Sequence, residues 1–493
     1  MAKFYITTSI PYVNAAPHIG FALEIVQADA LARYHRLLGD EVWFLTGTDE
    51  HGSKIVKTAA ELNRPLGELI EENVAKFKGL REILNLSNDD FIRTSDRERH
   101  WLAAQKFWQI LAQNGDIYKG VYKGYYCDGC EAYLTEKEIS GAGCLIHKKP
   151  VQVLEEENYF FRLSKYGPQI KEVIEKDELR IVPEERKNEI LSLLESGLQD
   201  VSFSRPRTVL PWGIPVPGDE NQVIYVWCDA LINYLSALGF AAEEEKFKKF
   251  WPADIHIIGK DILRFHAAIW PAMLMSAGLT LPKILFVHGF ITAEGEKISK
   301  SLGNVVYPEE LVKKYGSDAV RYYLLREISP TGDGDFSRKR FDERYHADLV
   351  NGLGNFVSRV FTLVENYGRP LKIFNFYFQE KIDETWQVYH QKLENFHFNE
   401  SLAEIWKLLK AGDEYIDQKK PWELIKTEPE EFENIMSNLL LVLANLGWLV
   451  LPFLPAAAGT ILKELGLAEN GQKSWQEIDF RLKKIKPLFP RLR

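Results

Sequence analysis

Three groups of residues have the types and spacing to do chemistry. Cys127 and Cys130 form one pair with two residues between them, and Cys144 and His147 form another after thirteen intervening residues. Three thiolates and an imidazole suit tetrahedral Zn2+, and four protein ligands leave no open position for catalysis. The pattern reads as a structural metal knuckle, with a disulfide between two of the thiols as the competing reading. The second group is PHIGF, Pro17 to Phe21. His18 falls where a helix is expected to begin, and a donor at a helix N-terminus is placed to hold an anion such as phosphate. Gly20 leaves space for a ligand to lie against the backbone. A loop histidine with a local hydrogen bond is the plainer alternative. The third group is KISKS, Lys297 to Ser301, which follows the Gly-containing stretch VHGFITAEGE. Lys297 and Lys300 offer mobile positive charge, suited to the charge that builds on a departing phosphate group. Its bland alternative is a solvated basic loop.

These residues need elements to position them. Phe4 to Ile10 is apolar and β-branched, as a buried strand is. A turn-prone loop, PYVNAAP, follows it. Ile19, Leu23, Val26, Ala30, Tyr34 and Leu37 then step at helical spacing, and Gly39 stops the helix. Val42 to Leu45 is again strand-like. This strand–helix–strand unit opens a parallel α/β sheet. His18 would lie beyond the carboxyl end of the first strand, where such sheets bind ligands. Helical patterns fill Leu66 to Asn114. From Tyr118 through Pro150, Gly, Tyr, Cys and charged residues crowd in, the texture of an inserted module. Strand patterns resume at Val223 to Trp227, Ile255 to Ile258 and Ile284 to Val287, so the sheet is expected to be split. Cys228 is expected to be buried at the first of these strands. After Tyr345 the pattern is helical to about residue 467.

The 493 residues fit roughly three domains at about 150 residues each. A hydrophobic share of 46% and a charged share of 27% are those of a globular chain with ample core. With a net charge of −9, any polyanion partner must meet localised positive charge. Arg481 to Arg493 holds six basic residues and no acidic one, and reads equally as a solvated tail. The N-terminus runs almost directly into the first strand, so no signal peptide is expected. The apolar stretch Leu439 to Leu454 is interrupted by Asn445 and Gly447, ends near Pro452, and falls short of the roughly 20 residues of a span. It reads as a buried helix. Four cysteines in so long a chain make no disulfide framework, and a cytoplasmic location is expected.

Taken jointly, PHIGF and KISKS resemble the two signatures of class I aminoacyl-tRNA synthetases. The remaining motifs narrow the resemblance to the methionyl-tRNA synthetases, over nearly the full length. That resemblance implies an α/β fold with a Rossmann-type parallel-sheet catalytic domain in two halves, 1–117 and 216–292. A zinc-binding inserted connective domain, 118–215, would split it. The KISKS loop and a connecting module, 293–345, and an all-α helical-bundle anticodon-binding domain, 346–493, would follow. It also implies ATP-dependent activation of methionine to methionyl-adenylate, then transfer to the terminal ribose of tRNA(Met), the initiator included. Isoleucyl, leucyl and valyl enzymes share both signatures but carry a large editing insertion, for which this chain has no room. A silent tRNA-binding relative and a small-molecule adenylyltransferase are the further alternatives. The intact lysines oppose the first, and the chain's length and helical C-terminal region oppose the second.

Site residues follow from the resemblance. His18, Lys297 and Lys300 would be catalytic. His18, Gly20, Phe21, Glu24, Gly259, Asp261, Ile291 and Lys300 would meet ATP. The family usually carries a second histidine where this chain has Phe21, which can pack but cannot donate to phosphate. Ile10, Tyr12, Trp227, Ala230, Leu231 and Tyr234 would wall the thioether, which aromatic rings favour. Leu231 stands where some relatives carry proline. Asp49 would pair with the ammonium group, and Ile262 and His266 complete the pocket. Asn355 and Arg359, on one helix face at i and i+4, and Trp422 would read the anticodon. Cys127, Cys130, Cys144 and His147 would hold one structural zinc, magnesium would accompany ATP, and a monomer without membrane contact is expected.

Overall fold

The apolar run behind Lys3 forms the centre of a six-stranded parallel sheet. The computed structural model describes residues 2–127, 129, 132–134, 136, 139–141, 143–145, 148, 150–242, 244–298, 303–369, 371, 376–469 and 485–492. The strands are β1 (Lys3–Thr8), β2 (Glu41–Thr48), β3 (Asp90–Arg93), β4 (Arg180–Val182), β5 (Ile255–Gly259) and β6 (Ile284–His288). Their order is β3-β2-β1-β5-β6-β4, and every neighbouring pair is parallel. The order reverses between β1 and β5, where Ile6 faces Ile255 and Thr8 faces Ile257. At such a switch point the crevice beyond the carboxyl ends of the strands is the natural ligand site. Helix α1 (Ile19–Leu37) crosses from β1 to β2, and Gly39 ends the turn behind it with φ at +87°.

Three segments differ from what periodicity led us to expect. β3 interrupts the helical run Leu66 to Asn114, between helices Leu66–Ile83 and Leu102–Gln113. It has only four residues, with a charge at each end, too few for alternation to register. β4 comes from within 118–215, so part of that stretch returns to the parallel sheet. Val223 to Trp227 is not one strand. Asp219–Ile224 belongs to a separate antiparallel sheet with Ser204–Pro206 and Pro215–Val216, and Val226–Leu231 is helical. Cys228 is therefore buried on a helix. A short apolar run with β-branched and aromatic residues fits a strand and a buried helix equally well.

The module after Ile117 is a long hairpin. Ile117–Cys127 pairs antiparallel with Gln152–Phe161, in register from Ile117 opposite Phe161 to Tyr126 opposite Gln152. Ala132–Leu134 extends it on the Cys127 side. From Asn355 the described chain is helical through Asn355–Tyr367, Gln379–Glu394, Phe398–Lys419, Pro429–Val450 and Pro455–Glu464. Pro429–Val450 is apolar and long enough to cross a membrane, yet 89% of its most apolar window is buried inside this bundle.

A buried ion pair joins the bundle to α1. Arg321, on helix Ser317–Arg326, lies 2.7 Å from Asp29 of α1 and donates to the carbonyls of Leu84, Pro452 and Phe453. Three residues earlier, Asp318 accepts from the Ala456 and Ala457 amides at the start of Pro455–Glu464. A buried guanidinium without such partners would be strongly destabilising, so these bonds fix where the bundle sits.

Candidate active site

One side of the crevice is built on α1. His18 caps the helix with extended backbone, and its Nδ1 accepts the Gly20 amide at 3.0 Å. An accepting Nδ1 carries no proton, so the exposed ring is neutral and keeps a donor at Nε2. A Cβ on Gly20 would stand 2.8 Å from His18 Cε1, so the glycine lets the ring fold back onto its own helix. Phe21 packs edge-on against Phe77, with ring centroids 5.3 Å apart. Its ring is engaged by the protein's own core.

One turn further along, the buried Glu24 accepts from Ser9 N and Ser9 Oγ, both at 2.7 Å. Its second oxygen lies 2.9 Å from His288 Nε2, while His288 Nδ1 lies 2.8 Å from the Gly289 carbonyl. Both ring nitrogens thus face acceptors, which only the imidazolium satisfies. Burial alone would lower the His288 pKa, but the Glu24 carboxylate and the Gly289 carbonyl outweigh it and raise it. His288 was not singled out from the sequence. The signal was a histidine closing strand β6, which the register sets opposite Gly259 at the end of β5. A Cβ at Gly259 would lie 2.8 Å from Asp261 Oδ1 and 3.8 Å from the His288 ring, so these residues share one corner. Lys260 pairs with Asp333, which also accepts the Phe290 amide at 2.8 Å. Ile291 follows, buried, and starts the strand Ile291–Ala293. Lys297 is exposed at the end of Glu296–Lys297, and Lys300 lies outside the described residues.

The other side is aromatic. Tyr12 and the buried Asp49 are bridged through the backbone, with Asp49 N donating to Pro11 O at 2.9 Å. Trp227 meets the edge of Tyr12 and stacks on Phe265 at 3.6 Å, a contact the sequence did not reveal. Ile10 packs partly buried in this cluster, and Ala230 and Leu231 are buried on the Trp227 helix. Tyr234 Oη donates to His266 Nε2 at 2.8 Å, and His266 Nδ1 donates to Ile262 O at 3.1 Å. His266 is therefore neutral, and burial pushes its pKa down to about 4. Ile262, Tyr234 and His266 thus form one hydrogen-bonded unit.

The remaining residues lie elsewhere. Cys127 and Cys144 are buried at the ends of Ile117–Cys127 and Gly143–Cys144, while Cys130 and His147 fall outside the described residues. Among the described residues no three His, Cys, Asp or Glu side chains cluster as metal ligands. Asn355 and Arg359 share helix Asn355–Tyr367, and Arg359 pairs with Asp413 at 3.0 Å and Asp417 at 2.5 Å. Trp422 is 47% exposed, so it is not a core residue.

A family model described as tRNA synthetases class I (M) matches residues 4–144 and 140–361. A second, the anticodon binding domain of methionyl tRNA ligase, matches 375–487. The chain belongs to the class I methionyl-tRNA synthetases. The methionine–tRNA ligase of Thermotoga maritima is 43% identical, with 96% of this chain and 77% of that protein covered. The Brucella suis methionine–tRNA ligase is also 43% identical, covering 94% and 92%. A solved structure of Mycobacterium tuberculosis methionyl-tRNA synthetase in complex with methionyl-adenylate is 38% identical, covers 100% of both chains and superposes with a TM-score of 0.94. The apo form of that synthetase superposes with 0.87.

The Glu24–His288 pair gives this synthetase a pH signature. Because the folded pKa of His288 is raised, its stabilisation is fully present below the ordinary histidine value of about 6.5 and is lost as pH rises through the folded value. His288→Gln is expected to cost most stability in acid, with the difference from the parent shrinking as pH rises through the raised folded value. Denaturant midpoints across that range check this, and a pH-independent difference contradicts it.

Proposed function

We infer that the chain is a methionine–tRNA ligase that performs both half-reactions. The methionine carboxylate attacks the α-phosphorus of ATP, giving methionyl-adenylate and pyrophosphate. The terminal ribose hydroxyl of tRNA(Met) then attacks the adenylate carbonyl, and AMP leaves. No side chain need act as a nucleophile, so the enzyme's contribution is positioning and charge stabilisation. One observation carries the reading: the Glu24–His288–Gly259 corner with the helix start at His18, and an aromatic pocket with a buried carboxylate, lie at the carboxyl ends of one parallel sheet.

Asp49 takes the methionine ammonium group. Tyr12, Trp227, Ala230 and Leu231, with Ile10, wall the thioether, and the neutral Tyr234–His266–Ile262 unit closes the pocket without adding charge. Gly259, Asp261 and Ile291 hold adenosine, and Glu24 fixes the corner beside them through His288. His18 contributes the Nε2 donor to phosphate. Because that ring is neutral and Phe21 is turned to Phe77, positive charge comes from Lys297 and Lys300. Magnesium neutralises part of the ATP phosphate charge. Cys127, Cys130, Cys144 and His147 hold one structural zinc. The burial of Cys127 and Cys144 at strand ends and the soft donor set fit such an ion. The zinc supplies rigidity to the hairpin module and no chemistry. Asn355, Arg359 and Trp422 meet the anticodon, with Trp422 as a stacking surface. The enzyme works as a cytoplasmic monomer.

ATP–pyrophosphate exchange across a panel of amino acids is expected to depend on methionine. Lys300→Ala is expected to slow it by several hundredfold, the effect of losing about 3–4 kcal/mol of oriented charge. Exchange with another amino acid instead, or an unaffected Lys300→Ala enzyme, contradicts the reading. Elemental analysis of active protein is expected to find one zinc per chain, and active protein free of zinc would rule the knuckle out.

A further inference from the structure

A carboxylate lies between two histidines behind the aromatic pocket, and the chemistry above uses none of the three. Asp229 is wholly buried, with Oδ2 2.6 Å from His51 Nδ1 and Oδ1 2.6 Å from His100 Nε2. His100 Nδ1 lies 2.9 Å from Ser236 Oγ. His51 is buried between Trp101 and Trp212, with ring centroids 5.9 and 5.4 Å away. Burial by itself would raise the Asp229 pKa, but the charges and hydrogen bonds of His51 and His100 more than offset it and keep the carboxyl ionised.

Such a cluster is expensive to bury, so what it joins is informative. His51 is two residues past Asp49, and its amide donates to Asp49 Oδ1 at 3.2 Å. Asp229 is on the helix that carries Trp227, Ala230 and Leu231. Ser236, gripped by His100, is two residues past Tyr234 and on the same short helix, Asn233–Ser236. Segments 178 residues apart in the chain, on either side of the hairpin module, are thereby held together by short hydrogen bonds. Apolar packing alone allows small sliding, whereas two hydrogen bonds to one carboxylate fix both distance and orientation. A pocket that separates methionine from homocysteine by one methyl group has little tolerance for slack.

We propose that Asp229, with His51 and His100, is the positioning clamp of the methionine pocket, holding the Trp227 helix at a set distance from Asp49. The proposal rests on the assignment of that pocket to methionine. It is tested by exchange kinetics on the full chain carrying Asp229→Asn, which keeps the shape and removes the charge. KM for methionine is expected to rise about ten- to a hundredfold. KM for ATP should stay within about twofold, and the preference for methionine over homocysteine should fall about tenfold. His51→Gln, which removes one of the two bonds, is the second variant should Asp229→Asn fail to fold, with a smaller rise in the same direction. An unchanged methionine KM in either folded variant overturns the clamp, as does an equal rise in both KM values. Lack of methionine-dependent exchange in the parent enzyme overturns the assigned function and the clamp together.

Discussion

Glu24 is almost wholly buried and accepts three hydrogen bonds, two from Ser9 and one from His288. Ser9 follows β1, Glu24 belongs to α1, and His288 ends β6, so one carboxylate ties together three elements around the crevice. Burying a carboxylate without partners costs several kcal/mol, on the order of what holds a domain folded. The chain therefore gains most by folding with these groups in contact, and the contact shapes the site. The corner at Gly259 and Asp261, proposed to hold adenosine, stands beside it, and the start of α1 that carries His18 is one turn away.

Charge in the site is distributed with economy. His18 is neutral because its Nδ1 accepts a backbone amide, and His266 is neutral because it is deeply buried. Phe21, where the family usually has a histidine, is packed on Phe77. The cation among these histidines, His288, is matched by Glu24. Lys297 and Lys300 are then the residues proposed to meet the phosphate charge that grows during adenylate formation. Binding energy realised only as that charge develops speeds the reaction, whereas a rigid cation would also hold ATP in its ground state.

What could be read from the sequence was whatever has a local signature. The β1–α1–β2 unit, the late helices and the buried nature of Leu439 to Leu454 are written in periodicity. The two signatures are written in short spacing. β3 and β4 were missed because strands of four and three residues complete no pattern. The Trp227 segment was misread because its apolar residues suit either strand or buried helix. His288 and the Asp229 cluster were missed for another reason. Their partners are 264, 178 and 129 residues away, and isolated histidines and carboxylates are ordinarily surface residues. Their roles exist only once the sheet brings the two halves together.

The central proposal is that Glu24 organises the nucleotide side of the crevice, its charge reaching Tyr234 and His266 of the methionine side only as a lesser influence. Separate calorimetric titrations of the Glu24→Gln protein with an unreactive ATP analogue and with methionine test it most directly. Glutamine keeps the size but removes the counter-charge of His288, and hydrogen bonds to charged groups are worth about 1.5–3 kcal/mol. ATP-analogue affinity should fall about ten- to a hundredfold, with methionine affinity within about twofold of the parent. Unchanged nucleotide binding, or equal losses for both ligands in a folded protein, would contradict the account.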